Sequence, residues 1–433
     1  FYFGENGNKF IDGSATSYGA SYGNNDVIGV ALNLDDDEIT FYKNGTSQGT
    51  ITTKTFTGAY KPAVGRGASS GSTSYTLNAG QRVFTHAAPS GFKCLNTASL
   101  PTPTVPDGSD YFDIQLWTGN ATDNRDITGY GFSPDFVWIK ERSSTGDNHL
   151  FDIVRGATKA LRSNNTDAEV TDANELKAFN TDGFRLGTGG DVNASNTTTV
   201  GWAWDAGSST VSNTDGNITS NVRANQTAGF SIVSFNLSVA NTEKSVGHGL
   251  NAAPTFYVIK NRSSADNWYA YTTAVDGTLD FKYLNTDGAL SASSRTLPTS
   301  SVFHFASSTT GNHIAYCFTP VAGYSAVGSW TAGSAAFVHL GFRPRFLMVK
   351  GNASGHSWLM FDSARSTYNR IDDWLAANES STEVTGNSTN YLDFLSNGFK
   401  IRGTGGYFGS GAGTVLYLAF AENPFQANGG LAR

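Results

Sequence analysis

The chain has 433 residues, 15% of them charged and 13% aromatic, and a net charge of −7. No basic field exists to draw in a phosphate backbone, which excludes nucleic acid as a partner, and no apolar run approaches the roughly 18 residues that span a bilayer, so no membrane insertion is expected. Abundant Gly, Ser, Thr and Asn beside β-branched and aromatic residues predict an all-β protein of short strands and tight turns.

The sequence starts at Phe1 with neither an initiator Met nor a signal-peptide pattern, which reads as a processed N-terminus or a piece of a longer chain. Residues 1–86 read as strands and turns. The clearest run is Asp26-Val-Ile-Gly-Val-Ala-Leu-Asn-Leu34, an acidic turn Asp35-Asp-Asp37, then Glu38-Ile-Thr-Phe-Tyr-Lys43 and Asn44-Gly45. This is a hairpin pattern, and Asn-Gly is a strong type I′ turn signal. The acidic triplet lacks the spacing and distal Glu of a calcium loop and reads as a solvated turn. These residues resemble the SPRY family, whose hallmark is this strand, turn and Thr-Phe-Tyr-Lys-Asn-Gly sequence; Tyr60-Lys-Pro62-Ala-Val64 resembles a later strand of that domain. The resemblance implies a partial, concanavalin-like β-sandwich.

Residues 87–109 form a Pro-, Ser- and Thr-rich bridge with Pro101, Pro103 and Pro106, expected to be extended. A phrase written three times follows: Gly131-Phe-Ser-Pro-Asp-Phe-Val-Trp-Ile-Lys140, Leu250-Asn-Ala-Ala-Pro-Thr-Phe-Tyr-Val-Ile-Lys260 and Gly341-Phe-Arg-Pro-Arg-Phe-Leu-Met-Val-Lys350. Each copy lies between an upstream strand (from Phe112, Phe230 and Tyr324) and a closing aromatic strand (Val200 to Trp204, Ile314 to Phe318 and Val415 to Phe420). Repeat units at 110–206, 228–322 and 323–433 are each large enough for a core of their own, which predicts tandem β-sandwich domains. Residues 207–227 read as a linker or an exposed hairpin.

Within the phrase both faces are apolar, so it belongs at the centre of a sandwich or beneath a covering layer, and Pro134, Pro254 and Pro344 mark the strand starts. Glu169 to Phe179 and Arg370 to Asn378 are short-helix candidates. Cys94 and Cys317 fall in different units and are expected to be reduced thiols.

Little in the chain points to chemistry. Gly187-Thr-Gly-Gly190 and Gly403-Thr-Gly-Gly406 lack the Lys-Ser/Thr and the following helix of a phosphate loop and read as hairpin turns. His304 and His313 lack further ligands for a metal pair, and no nucleophile elbow or His-Glu-x-x-His occurs, so no catalytic residue, metal or cofactor is assigned. Lys140, Lys260 and Lys350 are expected to lay their stems over the sheet with the ammonium in water. The polar stretches after them end in His149, Trp268 and Trp358, the candidate ligand contacts, since loops on a shared scaffold are free to vary.

Taken in order, the SPRY-like part, the bridge Gly80-Gln-Arg-Val-Phe84 to Leu100-Pro, the phrase repeats, Asn261-Arg-Ser-Ser264, Phe394-Leu-Ser-Asn-Gly-Phe-Lys400 and Ala419-Phe-Ala-Glu-Asn-Pro-Phe425 resemble bacteriophage virion proteins, tail fibre and tail-tip proteins above all. Unit 2 departs from the pattern, with Thr299-Ser-Ser-Val-Phe303 in place of the Gly-Thr-Gly-Gly turn, which puts its share of any common site in question. The resemblance implies a non-enzymatic component of the virion surface, made in the host cytoplasm. It would be assembled with other virion proteins as a homotrimer and bind a host-surface glycan or protein. A purely structural role in capsid decoration, collar or fibre shaft is the alternative reading, and a tail-associated depolymerase a minor one.

Overall fold

A computed structural model of the chain describes all residues except 57–59, 61, 66–73, 97, 98, 100, 101, 334, 335 and 425–433. As the composition predicts, it is nearly all β. It divides into two compact bodies, Phe1–Pro101 and Thr102–Arg433.

In the N-terminal body the predicted hairpin is present: Ile28–Asn33 pairs antiparallel with Glu38–Lys43, which pairs with Thr46–Ile51. Asn44 and Gly45 both take positive φ, as a type I′ turn requires. The acidic turn is closed by the Asn33 carboxamide, which accepts from the Asp35 and Asp36 amides at 3.1 and 3.3 Å, while Asp37 accepts from the Phe56 amide. Pleating buries Ala31 and turns Val30 and Leu32 outward. Tyr60 and residues 62–64 are irregular rather than a strand, and Lys61 lies outside the described residues.

The C-terminal body bears out the expected β-sandwich units and corrects one point: besides the outer cores of units 1 and 2, the units share a core. Each unit has a main antiparallel sheet with the phrase strand inside it: Phe136–Glu141 lies between Asn148–Asp152 and Thr198–Trp204, Phe256–Asn261 between Tyr269–Thr272 and Gly311–Phe318, and Phe342–Gly351 between Leu359–Asp362 and Thr414–Pro424. Pro134 and Pro254 precede their strands, whereas Pro344 sits in one at a register shift. A smaller sheet covers the outer face of each main sheet. The inner faces of all three units meet in one shared core. Phe136 lies 5.9 Å from Phe230, Trp204 6.1 Å from Phe346, Phe318 5.9 Å from Phe420, and Phe112 stacks on Phe420 at 5.1 Å. These rings leave an apolar void of only about 20 Å³ at the junction.

The physical reason is the phrase itself. Its two apolar faces need two partners: Val137 and Ile139 pack into unit 1's outer core, and Phe136 and Trp138 into the shared one. A lone unit would leave the inner set in water, at about 1.5–3 kcal/mol for each large apolar side chain. The 207–227 segment resolves as a hairpin, Thr210–Asn213 with Ser220–Asn225, which extends the sheet of unit 2 through Phe230–Leu237. The helix candidates are not helical. Val170–Thr171 and Leu176–Asn180 are strands, as is Leu375–Ala376, and the Glu169 amide is drawn into extended pairing by the carbonyl of Arg262 at 3.0 Å.

Candidate functional site

The repeated lysines are not at the surface. Lys140, Lys260 and Lys350 are fully buried, and each ammonium reaches a carbonyl of a different unit: Lys140 to Ser380 at 3.3 Å, Lys260 to Thr166 at 3.1 Å, and Lys350 to Asp287 at 3.3 Å. Lys140 and Lys260 also donate to the carbonyls of Glu141 and Asn261, and Lys350 to that of His356. Unit 1 thus reaches unit 3, unit 3 reaches unit 2, and unit 2 reaches unit 1. Desolvation lowers the pKa of Lys140 and of Lys260 to about 8; it lowers Lys350 as well, helped by the neighbouring Lys282. The expectation of solvated ammonium groups fails because the strand end is capped by the next unit.

The three candidate contacts are buried too, so none presents an exposed face to a sugar or a protein partner. Trp268 donates its indole N–H to the Arg162 carbonyl at 2.8 Å and Trp358 to that of Tyr283 at 3.3 Å, both across unit boundaries. The register shows that His149 is not their counterpart. His149 pairs with Ile139 as Tyr269 pairs with Ile259 and Leu359 with Val349. The residue at the Trp position is Asn148, which donates to the carbonyls of Ala376 and Glu379 in unit 3.

Two of the three junctions also hold buried ions. Asp152 binds Arg155 and accepts from Tyr316 of unit 2 at 2.8 Å; Asp362 binds Arg365 and accepts from Trp202 of unit 1 at 3.1 Å. Glu169 joins Arg155 to Arg262, and Glu383 joins Arg365 to Arg142. At the third junction Thr272, Val275, Leu290 and Asn352 stand in the corresponding places.

Unit 2 differs on its outer face as well. Units 1 and 3 carry three-stranded cover sheets, but unit 2 has only Lys244–Gly247 with Val302–Phe305. Nothing there matches Leu176–Asn180 or Leu392–Leu395, and the Gly-Thr-Gly-Gly segment is missing too. Beneath the gap lie two cross-strand aromatic pairs, Tyr269 with Tyr283 and Tyr271 with Phe281, their ring centroids 5.3 and 6.0 Å apart. Units 1 and 3 place Arg162 and Ala376 where Tyr283 stands. The result is a groove of about 340 Å³ with an aromatic floor and a rim of Ser293, Ser294, Arg295, Ser307 and Ser308. Burial raises the Tyr271 pKa, so its hydroxyl stays neutral. Sequence reasoning missed this groove, although the alternating Tyr269-Ala-Tyr271 and Phe281-Lys-Tyr283 in the one aberrant unit were its signal.

In unit 1 the place of Tyr269 belongs to His149. Its Nδ1 is 3.1 Å from Glu175 Oε2 and its Nε2 3.4 Å from Asp191 Oδ2. Burial disfavours the imidazolium, but the Asp191 and Glu175 carboxylates outweigh it and raise the pKa to about 9. The Gly-Thr-Gly-Gly segment is not a hairpin turn: it leads into the one-turn helix Gly190–Asn193, which carries Asp191.

The comparisons agree with this division of the chain. A SPRY domain model matches residues 1–82. Neither the curated proteins nor the solved structures yield a match. A single family model spans all three repeat units, residues 107–424, and the chain belongs to that family, described as a domain of unknown function, DUF7483.

Proposed function

We propose that this chain is a non-enzymatic component of a bacteriophage virion surface, in a distal tail fibre or tail tip, which attaches to a host-surface glycan or protein through the aromatic groove of unit 2. The groove carries the reading. Aromatic faces offer apolar area to the C–H faces of a sugar ring, while the serine hydroxyls and the Arg295 guanidinium supply hydrogen bonds at the rim. Its volume is at the lower end for small-ligand sites, suited to one or two sugar rings. The floor rings pack into unit 2's own outer core, with Tyr269 and Tyr271 against Phe305, which holds them in place before any ligand binds. The lining supplies no carboxylate, which supports binding over the two-carboxylate hydrolysis of a depolymerase. Assembly with other virion proteins as a homotrimer belongs to the same proposal, and several copies would add avidity.

The test is competition. Purified full-length protein is expected to bind host cells and to block phage adsorption, and the Tyr283→Ala variant to lose both while keeping the wild-type melting temperature. Wild-type protein that neither binds cells nor blocks adsorption overturns the adhesive role and leaves the purely structural one.

A further inference from the structure

The cluster on the outer face of unit 1 has the geometry of a cation site. His149 is fully buried, and its Nδ1 faces the Glu175 carboxylate at 3.1 Å. That contact holds a proton on Nδ1 for Glu175 and leaves Nε2 as the ring atom that takes either a second proton or a metal ion. Nε2 has no hydrogen-bond partner, yet it faces Asp191 Oδ2 at 3.4 Å. A positive charge has to lie between Nε2 and the Asp191 carboxylate: either the second proton of an imidazolium or a bound metal ion. The separation is longer than the about 2.7–2.9 Å of a charge-assisted N–H···O bond. It equals the edge of a tetrahedron whose ligands lie about 2.0–2.1 Å from a central zinc ion, which is about 3.4 Å.

We propose that His149, Asp191 and Glu175 bind one divalent transition-metal cation of the zinc class. His149 Nε2 and Asp191 are the direct ligands, and Glu175 orients the ring through Nδ1. One ligand atom from each of the three lies within 4.8 Å of the others, so the two direct ligands and the orienting carboxylate form one cluster. Asp191 is 46% exposed, which gives the ion a way in and leaves its remaining positions to water. Glu141 adds negative charge beside Asp191, while Lys140 and the Arg162 guanidinium, 3.8 Å from Glu175, add positive charge.

The backbone builds this site. The Gly187 amide donates to the carbonyl of Glu175 at 2.8 Å and the Gly189 amide to that of Asn174 at 2.6 Å, which brings Asp191 beside Glu175. A Cβ on Gly187 would lie 2.4 Å from the Asn174 carbonyl oxygen, so the approach needs glycine. Unit 3 makes the same turn, with the Gly403 amide on the carbonyl of Tyr391 at 2.8 Å, but its corresponding residues are Leu359, Tyr391 and Tyr407. All three ligand types are replaced together, so the turn is shared and the site belongs to unit 1 alone.

The experiment is calorimetric titration of Zn²⁺ into chelator-treated full-length protein, paired with thermal melts. One equivalent is expected to bind saturably and raise the melting temperature. Asp191→Asn, at a half-exposed position, is expected to melt like the metal-free wild type and to bind at least tenfold more weakly. Glu175→Gln is expected to weaken binding by the 10–100-fold typical of an orienting partner. Absence of saturable binding to the wild type, or equal affinity in Asp191→Asn, overturns the proposal.

Discussion

The Lys260 ammonium donates to the carbonyl oxygen of Thr166 at 3.1 Å, although 94 residues separate them and they belong to different repeat units. The same bond recurs from Lys140 to Ser380 and from Lys350 to Asp287. Backbone bonds run beside each one: Asp266 to Thr166, Gly146 to Ser380 and Gly355 to Asp287, at 2.9, 3.1 and 3.1 Å. Three repeats joined head to tail by equivalent contacts close on themselves, so no unit has a free end and none has an inner face without partners.

The first prediction concerns cooperativity. Residues 102–433 are expected to melt in one calorimetric transition, with calorimetric and van't Hoff enthalpies in agreement. Unit 2 expressed alone, residues 207–322, is expected to lack a cooperative transition, because Phe230, Phe256 and Phe318 lose the rings of the other units. Three resolved transitions would mean that the units fold separately.

The lysine bonds carry a pH signature. The folded pKa of Lys260, about 8, lies below the ordinary value of 10.5, so the unfolded chain binds more protons between those values. Stability therefore rises with pH from about 8 towards 10.5. Lys260→Met is expected to flatten that part of the curve, with the difference between the two proteins changing by roughly 3 kcal/mol across the window. Denaturant titrations at pH 7.5, 8.5 and 9.5 measure it, and parallel curves for the two proteins would refute the assignment.

The junction ions make a third prediction. Asp362→Ala leaves the buried Arg365 with Glu383 alone and removes the acceptor of the Trp202 indole, so a loss of about 3–5 kcal/mol is expected. Asp126→Ala, which breaks an ion pair to Arg185 at the surface, is expected to leave the denaturation midpoint essentially unchanged. Equal effects in the two variants would show that burial at the junction adds nothing.

What could be read from the sequence was local. The phrase is doubly apolar because it lies between two packed layers, and Asn44-Gly45 turns where its positive-φ preference says it should. Ring closure was not legible, since it depends on contacts across unit boundaries that no short-range pattern encodes. The lysine ends looked solvated for the same reason, because the carbonyls that bury them come from other units. His149 was matched to the tryptophans because it closes the polar stretch after its phrase, but it lies nine residues after Lys140 whereas each tryptophan lies eight after its lysine, and the strand register puts Asn148 opposite Lys140. The departure of unit 2 was visible, yet its consequence ran opposite to expectation. Losing a cover strand and the glycine turn uncovers an aromatic floor, so the aberrant unit gains a groove.

The last prediction separates core from contact at the two tryptophans. Trp268 and Trp358 are each packed among the shared-core side chains and donate one hydrogen bond across a junction. Trp268→Phe keeps most of the volume and removes the donor, so it is expected to cost about 1–3 kcal/mol for the unpaired Arg162 carbonyl. Trp268→Ala adds a cavity and is expected to cost about 3–5 kcal/mol. Trp358 is expected to follow the same order. On the proposed reading, binding to host cells reports on the groove instead, whose floor is Tyr269, Tyr271, Phe281 and Tyr283. Trp268→Phe is therefore expected to be destabilised with undiminished cell binding, and Tyr283→Ala to be stable with binding lost. A Trp268→Phe protein that kept its stability and lost cell binding would put the indole, and not the groove, at the recognition surface.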